Sequence, residues 1–356
     1  MDILEYMSNQ KYEQLTMITD PGVGLKAVIA IHDTTLGPSC GGTRIWPYES
    51  EAAAIEDALR LAKAMSYKSA VADLPLGGGK AVIIADSHTQ KTEAMMRSFG
   101  RFVETLSGRY LTTTDVGSTG RDLEYIRQET KHVVGLPTTM GGSGDTSVMT
   151  GLGIYVGMKA AAKEIWGTDS LSGKRVAIQG FGKVAFNVAH HLLKENATLI
   201  VTDVYKGAID KARQMGLEVV PPDEIFDVSS DIFSPCALGG ILNSITIPKL
   251  TCSLVAGGAN NQLLSDSHGD ELHRLGILYA PDYVVNAGGI INVEAEIGSP
   301  YNIDRARERT ERIYDIMENV ISLSKDKNIA TYKAADLIAE ERMASVQNIK
   351  HIYSGN

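Results

Sequence analysis

The sequence predicts an α/β protein of two domains, an N-terminal mixed α/β domain followed by a doubly wound parallel sheet. Three observations carry this prediction. The chain has 356 residues, of which 44% are hydrophobic and 22% charged, which is globular composition and enough for two cores. After residue 174, short apolar segments alternate with helical patterns, as in a parallel sheet with helices on both faces. A stretch rich in Gly, Ser and Thr, 137–150, separates that region from the first.

The first domain mixes strand and helix signals. A β-branched run predicts a strand at 26–32, and Ser50 is placed to cap a helix whose apolar residues continue to Met65. Two apolar runs, 69–74 and 81–85, flank the segment 75–80, which reads PLGGGK and which we interpret as a glycine turn. A further helix is expected over about 118–128.

The second domain has the more regular pattern. A helix is expected over 151–166, and strands over 175–179, 199–203 and 218–220, with further short apolar segments at 231–233, 253–256 and 277–279. From residue 304 onward the chain is charged and helical. We therefore expect a first domain at 1–136, a second at 137–330, and a C-terminal helical segment, 331–356, that packs back on the first domain.

Charge and cysteine usage narrow the classes of function. The chain carries 34 basic and 43 acidic residues, a net charge of −9, and no basic cluster, which disfavours nucleic acid as a partner. No apolar run reaches the ~18 residues of a membrane span, and the N-terminus has no signal-peptide pattern. The cysteines Cys40, Cys236 and Cys252 lack metal-ligand spacing, so we expect no metal and reduced thiols in a cytoplasmic protein.

A dinucleotide fingerprint opens the second domain. Gly180, Gly182 and Ala185 form a G-x-G-x-x-A pattern after an expected strand and before an expected helix. The glycines allow a tight turn and close approach of a pyrophosphate to the backbone at a helix N-terminus. Asp203, after the next expected strand, would accept hydrogen bonds from the ribose hydroxyls and repel a 2′-phosphate. The pattern predicts a Rossmann-type domain that binds NAD rather than NADP; the alternative is a tight turn without a ligand.

Three ionisable residues of the first domain stand beside expected strand ends or glycine-rich segments: Lys68, Lys80 and Asp115. A lysine buried beside a second lysine would have a lowered pKa, which suits a base near neutral pH. Each residue also has a structural explanation. Lys68 could extend along a helix end, Lys80 could open an exposed strand, and Asp115 could close an Asx turn.

Long blocks of the sequence resemble the glutamate, leucine, phenylalanine and valine dehydrogenases, and most of all the leucine and valine enzymes. The blocks are IHDTTLGP (31–38), GGTR (41–44), EDALRLAKAMSYK (56–68), LGGGKAVI (76–83), TTDVG (113–117), SPCALGG (234–240), GANNQL (258–263) and YAPDYVVNAGGIINV (279–293). The resemblance implies that Lys68 holds the substrate α-carboxylate, that Lys80 is the base that activates a water, and that Asp115 shuttles protons to and from the nitrogen. It also implies a cleft between the two domains.

The same resemblance assigns the remaining site residues. It implies cofactor contacts from the dinucleotide fingerprint and the residues around it: Gly180, Gly182, Lys183, Val184, Asp203, Thr150, Cys236, Ala237, Ala259, Asn260 and Asn261. It implies that the substrate is bound, besides Lys68, by Cys40, Gly41, Gly42, Met65, Thr113, Ile290 and Val293. Glutamate-specific relatives place a cation at the position of Cys40, so its absence favours apolar substrates.

The expected activity is NAD-dependent oxidative deamination of branched-chain L-amino acids to 2-oxo acids, ammonia and NADH, by a homo-oligomer of two to eight chains. A phenylalanine dehydrogenase is the near alternative, because Cys40 would widen the pocket that Thr113 narrows. Another NAD enzyme, or an NAD sensor without catalysis, are more distant alternatives. Lys80 after the triple glycine and the block around Asp115 disfavour the other NAD enzyme. The full set of Lys68, Lys80 and Asp115 disfavours the sensor, since a sensor has no use for a base.

Overall fold

The computed structural model describes residues 2–298 and 300–347, and these divide into two compact units. The first unit comprises the chain up to Asp145, Val293–Ile303 and the described residues from Ala339; the second comprises Thr146–Asn292 and Asp304–Ile338. The boundary therefore follows residue 145, whereas the sequence placed it after residue 136. The reason lies in Glu296, whose carboxylate accepts hydrogen bonds from the backbone N–H groups of Gly135 and Ser143 and so ties 137–145 to the first unit.

The first unit is built on a mixed five-stranded sheet in the order β1-β2-β4-β3-β5. Strand β1 is antiparallel to β2, and β2 to β4, whereas β3 is parallel to both β4 and β5. The helices and strands are α1 (Ile3–Asn9), β1 (Gln14–Asp20), β2 (Leu25–Asp33), β3 (Ser39–Trp46), α2 (Glu51–Val71), β4 (Gly77–Ile84), α3 (Glu93–Thr105), β5 (Tyr110–Thr114) and α4 (Gly120–Arg127). The expected strand at 26–32 and the expected helix at 118–128 are thus confirmed as β2 and α4.

Alternation along the strands divides the first core between two faces of this sheet. Val28 and Val82 pack with Ala58 of α2 on one face. Ile29 and Ile83 pack with Phe99 of α3 on the other, among other buried residues. Ser50 caps α2 as expected, because its side chain accepts a hydrogen bond from the N–H of Ala53. Two helices thus cover the sheet, and α2 covers the face on which Lys80 lies.

The glycine turn expected at 77–79 is wrong, because these residues form the first part of strand β4. The expectation rested on glycine's conformational freedom and did not consider that helix α2 packs against these residues. A Cβ on Gly78 would lie 2.1 Å from the backbone N of Ser66 on α2. Only glycine therefore lets helix and strand approach this closely. The apolar run 69–74 is the end of α2 and its cap rather than a separate element.

The second unit has a six-stranded parallel sheet in the order β11-β10-β9-β6-β7-β8. Its strands match the expected segments to within two residues at either end, because parallel strands buried on both faces stand out as apolar runs. The elements are α5 (Ser147–Trp166), β6 (Arg175–Gln179), α6 (Lys183–Lys194), β7 (Thr198–Thr202), α7 (Lys206–Gln214), β8 (Glu218–Val219), β9 (Ile232–Pro235), β10 (Leu254–Val255), α8 (Asp266–Arg274), β11 (Leu278–Tyr279), α9 (Asp282–Val285) and α10 (Gly288–Glu294). Helix α5 begins four residues before the expected start.

Three helices, α11 (Ile303–Glu311), α12 (Ile313–Lys327) and α13 (Thr331–Gln347), complete the described chain. The first eight residues of α13 are grouped with the second unit, and those from Ala339 with the first. Within the first unit, Arg342 donates to the carbonyl oxygen of Ala70 at 2.9 Å, and Tyr67 donates to Glu340 at 2.7 Å. The sequence predicted that 331–356 packs on the first domain; the structure groups the described residues from Ala339 with the first unit, and residues 348–356 lie outside the described residues.

None of the helices within residues 2–298 and 300–347 has the length and apolar character needed to cross a membrane.

Candidate active site

The first unit brings two of the expected catalytic residues into direct contact. Lys80 Nζ lies 2.8 Å from Asp115 Oδ2, and the Lys80 side chain is only 6% exposed. Lys80 belongs to β4 and Asp115 follows the end of β5, two strands that both neighbour β3. Strand alternation puts Lys80 on the same face as Gly78 and Val82, the face that α2 covers. An ion pair between a buried lysine and a half-buried aspartate thus lies at the surface of the sheet beneath α2.

The surroundings shift both ionisation equilibria. Burial lowers the pKa of Lys80, and this outweighs the opposing attraction of Asp115. Burial by itself would raise the pKa of Asp115, but the charges of Lys80 and Arg44 lower it further than burial raises it. The pair therefore combines a lysine that gives up its proton more readily than usual with a carboxylate that stays ionised. This combination suits proton transfer near neutral pH.

Helix α2 carries two further expected substrate residues, Met65 and Lys68, in its last two turns. Both side chains are half-buried. The close packing of Ser66 against Gly78 fixes this part of α2 on the strand that carries Lys80. The structure therefore places Met65 and Lys68 beside the close contact between Ser66 of α2 and Gly78 of β4.

The expected side-chain pocket is assembled by strand register. Cys40 lies opposite Gly78 on one side and Leu111 on the other, and Gly42 lies opposite Thr113. Paired residues face the same side of a sheet, so Cys40 and Thr113 share the face of Lys80. Burial raises the pKa of the Cys40 thiol to about 12, which makes Cys40 a small apolar lining residue.

Gly41 and Gly42 contribute by having no side chain. A Cβ on Gly41 would lie 1.7 Å from the carbonyl oxygen of Gly79, and one on Gly42 would lie 2.7 Å from Cβ of Asp115. Thr113 faces a further glycine, Gly135, where a Cβ would meet its hydroxyl at 2.4 Å. The backbone therefore stays close to the ion pair and to Thr113.

Val293, which is buried, approaches the same place, since its Cγ2 lies 3.7 Å from the Cβ position of Gly135. Ile290 is also buried, in α10, but belongs to the second unit. The first unit thus gathers the expected pocket residues other than Ile290.

Sequence reasoning missed three residues of this site: Arg44, Asp57 and Glu296. Arg44 donates from Nε to Asp115 Oδ2 at 2.9 Å and from Nη1 to Asp57 Oδ2 at 2.9 Å. Glu296 accepts hydrogen bonds from the N–H groups of Gly135 and Ser143, on either side of the loop next to Thr113. Arg44 stands two residues after Gly42 on one strand, so period-two alternation could have placed it on the catalytic face. No local signal points to Glu296, which is distant in sequence from its partners.

The second unit gathers the dinucleotide fingerprint at the carboxyl ends of its parallel strands. Gly180 has φ +87°, in the left-handed region, and its Cβ position is 2.7 Å from Cβ of Ala237. Gly182 begins α6 and has open space where a side chain would stand. Asp203 follows β7, and its carboxylate accepts hydrogen bonds from the N–H groups of Phe181 and Tyr205 at 2.6 and 2.8 Å.

The remaining expected cofactor residues follow neighbouring strands or begin helices of the same unit. Cys236 and Ala237 follow β9, where the Cys236 thiol accepts a hydrogen bond from the N–H of Gly258 at 3.4 Å. The Asn260 side chain accepts a hydrogen bond from Asn286 at 2.9 Å. The others are Ala259, which is buried, Asn261, which has φ +53°, Thr150 in the first turns of α5, and Lys183 and Val184 in the first turn of α6.

These residues fit a dinucleotide. Gly180 supplies the tight turn, and a Cβ there would collide with the loop after β9. No side chain caps the N-terminus of α6, and the space beside it at Gly182 is open, so a pyrophosphate can approach this end of the helix. Asp203 retains lone pairs on both oxygens for ribose hydroxyls. The arrangement thus supplies the tight turn, the open approach to a helix N-terminus and the acidic residue that the fingerprint requires.

The comparisons with known proteins agree with this geometry. The family model for the dimerisation domain of Glu/Leu/Phe/Val dehydrogenase matches residues 13–132, and the model for Glutamate/Leucine/Phenylalanine/Valine dehydrogenase matches 141–219 and 200–352. Leucine dehydrogenase of Bacillus cereus is 53% identical over all of this chain and 97% of its own length. Phenylalanine dehydrogenase of Caldalkalibacillus thermarum is 44% identical over 99% of this chain and 97% of its own length. The crystal structure of L-tryptophan dehydrogenase from Nostoc punctiforme superposes with a TM-score of 0.84 at 44% identity, covering 97% of this chain and 99% of the other.

Proposed function

The chain belongs to the Glutamate/Leucine/Phenylalanine/Valine dehydrogenase family, and on that premise we propose that it oxidatively deaminates branched-chain L-amino acids with NAD. The products are a 2-oxo acid, ammonia and NADH, and the reaction is reversible. The observation that carries the proposal is the ion pair between the buried Lys80, whose pKa is lowered, and the half-buried Asp115. The higher identity to leucine dehydrogenase, 53% against 44% for phenylalanine dehydrogenase, favours leucine, valine and isoleucine as substrates.

The proposed roles follow from the chemistry of each side chain. Lys68 binds the α-carboxylate as a point charge and so orients the amino acid. Asp115 takes a proton from the substrate ammonium group, and bound NAD would supply the acceptor for the Cα hydride, so that the substrate becomes an iminium (protonated imine). Lys80 in its neutral form takes a proton from a water as the water oxygen bonds to the imine carbon. Asp115 returns to the nitrogen the proton that it took from the substrate ammonium group. The C–N bond then breaks, the hydroxyl proton passes to solvent as the C=O bond forms, and ammonia and the 2-oxo acid leave.

The proposed pocket for the substrate side chain is apolar. Cys40, Gly41, Gly42, Met65, Thr113, Ile290 and Val293 contain no cation, so a distal carboxylate would be buried without a partner. The Thr113 hydroxyl lies where it would collide with any side chain at position 135, and Thr113 therefore limits the depth of the pocket. This composition supports branched aliphatic side chains rather than glutamate.

The proposed cofactor residues are those after the strands of the second unit. Gly180, Gly182, Lys183 and Val184 bind the pyrophosphate, and Asp203 binds the ribose. Thr150, Cys236, Ala237, Ala259, Asn260 and Asn261 line the rest of the dinucleotide site. Asp203 favours NAD over NADP because its charge repels a 2′-phosphate.

The test is a substrate panel with the full chain. Leucine, valine, isoleucine, phenylalanine and glutamate are each supplied with NAD, and NADH and ammonia are measured. We expect the highest kcat/KM with a branched-chain substrate and equal amounts of NADH and ammonia. Activity with phenylalanine alone would move the assignment to that substrate, and no activity with any amino acid would overturn it.

We also propose a cytoplasmic homo-oligomer. The match of residues 13–132 to a model described as a dimerisation domain supports the oligomer. The three cysteines, all of them free of disulfides, support a reducing compartment. Light scattering on the purified chain measures the number of subunits.

A further inference from the structure

Arg44 connects the proposed catalytic pair to helix α2. Its Nε donates to Asp115 Oδ2 at 2.9 Å, and its Nη1 donates to Asp57 Oδ2 at the same distance. Asp115 Oδ2 is also the oxygen that Lys80 contacts. Two cations therefore share one carboxylate oxygen. Among the described residues, no hydrogen bond ends on the other oxygen, Oδ1.

The second anchor of Arg44 is itself fixed. Asp57 Oδ2 accepts a hydrogen bond from the Tyr48 hydroxyl at 2.6 Å, and its Oδ1 accepts one from Arg60 at 2.8 Å. The side chains of Arg44 and Asp57 are 22% and 15% exposed, so these bonds are only partly screened by water. A planar guanidinium held at two points has little rotational freedom. It can therefore fix the plane of the carboxylate that it contacts.

We propose that Arg44 is a positioning residue for the reaction: by occupying Oδ2 of Asp115 together with Lys80, it directs Oδ1 of Asp115 toward the substrate nitrogen. This inference rests on the proposed function. A carboxylate that transfers protons needs one oxygen in a constant place, and rotation about its Cβ–Cγ bond would exchange the two oxygens. The bond from Arg44 prevents that exchange.

Arg44 also acts on the two proton equilibria through its charge. Burial is the main cause of the lowered pKa of Lys80, and repulsion from Arg44 lowers it further. Attraction to Arg44 is one of the effects that keep the pKa of Asp115 low. Removal of the positive charge should therefore raise both pKa values. Since Lys80 acts as a base when neutral, the acidic limb of the rate profile should move to higher pH.

The test compares kcat/KM for leucine oxidation across pH in the wild type and in Arg44→Gln. We expect kcat/KM at the optimum to fall about 10- to 100-fold, as for loss of a charged hydrogen bond. We expect the acidic limb to move up by at least about half a pH unit. The ionisation of leucine itself is common to all variants, so it does not contribute to the difference.

Arg60→Gln is the matched control, because it removes the same charge from the same Asp57 without touching Asp115. We expect Arg60→Gln to leave the acidic limb of the pH profile of kcat/KM unchanged. Arg44→Lys retains a charge but cannot bond both carboxylates, so kcat/KM should fall at least about threefold with the limb within about 0.2 units of the wild type. This variant also serves if Arg44→Gln does not fold.

The outcomes separate the two proposals. A wild type that oxidises no amino acid overturns the proposed function. An active wild type whose Arg44→Gln limb does not move, or whose Arg44→Lys variant keeps full kcat/KM, overturns the role of Arg44 alone. A limb that moves equally in Arg60→Gln would mean that general surface charge, not this contact, sets it.

Discussion

Four charged side chains are linked in the first unit, and two of them, Lys80 and Arg44, contact the same oxygen of Asp115. Lys80 and Arg44 supply two positive charges, and Asp115 and Asp57 supply two negative charges. Such a balanced cluster can be buried at a tolerable cost, whereas a lone charge could not. Sequence reasoning found Lys80 and Asp115 because each stands beside a strand end or a glycine-rich segment. It missed Arg44 and Asp57, whose partners are set by strand register and helix packing rather than by spacing along the chain.

The first prediction concerns the base. Lys80→Ala should abolish amino acid oxidation, with kcat reduced at least about 1000-fold, because no neighbouring group replaces the neutral amine. NAD affinity should change less than twofold, since the expected cofactor residues belong to the second unit. Kinetics and NADH fluorescence titration measure the two effects. Lys26→Ala, which removes an exposed lysine from a neighbouring strand, should leave both unchanged. Near-normal turnover in Lys80→Ala would contradict the mechanism.

The second prediction concerns cofactor choice. Asp203→Ala should reduce the ratio of kcat/KM for NAD to that for NADP at least about 10-fold, because it removes the charge that repels a 2′-phosphate. The two kcat/KM values are measured with saturating leucine. Asp223→Ala removes an exposed carboxylate from the same unit and should leave the ratio unchanged. A ratio that stays constant in Asp203→Ala would refute the role of Asp203.

At the scale of single elements, the second sheet was the easier to predict. Its strands match the apolar segments of the sequence because both faces of a parallel sheet are buried. The glycines before Lys80 misled the sequence reasoning for the opposite reason. Glycine disfavours strands by itself, but the tight approach of α2 to β4 leaves no room for any side chain at Gly78. Tertiary packing overrode the low strand propensity of glycine. This packing becomes visible only when the position of helix α2 is known.

The third prediction tests that contact. Gly78→Ala should destabilise the protein by about 2–3 kcal/mol, because its methyl group would lie 2.1 Å from the Ser66 backbone N and 2.4 Å from the Ala62 carbonyl oxygen. Urea unfolding measures the loss. Gly120→Ala is the matched control, since its Cβ would have only one ordinary contact, at 3.8 Å, and it begins helix α4. Equal stability of the two variants would contradict the tight packing.

At the scale of the whole chain, the units are not continuous in sequence. The first unit includes Val293–Ile303 and the last part of α13, which return to it after the second unit has begun. Composition predicted a junction near 137–150. It could not indicate the return at Val293, because the bonds from Gly135 and Ser143 to Glu296 join residues far apart in sequence.

The fourth prediction concerns the returning helix. Arg342 donates to the carbonyl oxygens of Ser69 and Ala70 and pairs with Asp73 at 3.1 Å, and so it caps the turn of α2 that carries Lys68. Arg342→Met should raise the KM for leucine about 3- to 10-fold with a smaller change in kcat. Lys333→Met removes an exposed ion pair from the same helix and should change neither. A change confined to kcat in Arg342→Met would contradict the interpretation.

Because the first unit is not continuous in sequence, its parts are synthesised at different times. When the ribosome has made the five strands of the first sheet, neither Glu296 nor Arg342 exists yet. The loop beside Thr113 and the turn that carries Lys68 therefore lack their fixed partners until most of the chain has been translated. A nascent chain released early would carry Lys80 and Asp115 in an unfinished setting. Translation must pass residue 342 before the proposed substrate site can take its final form.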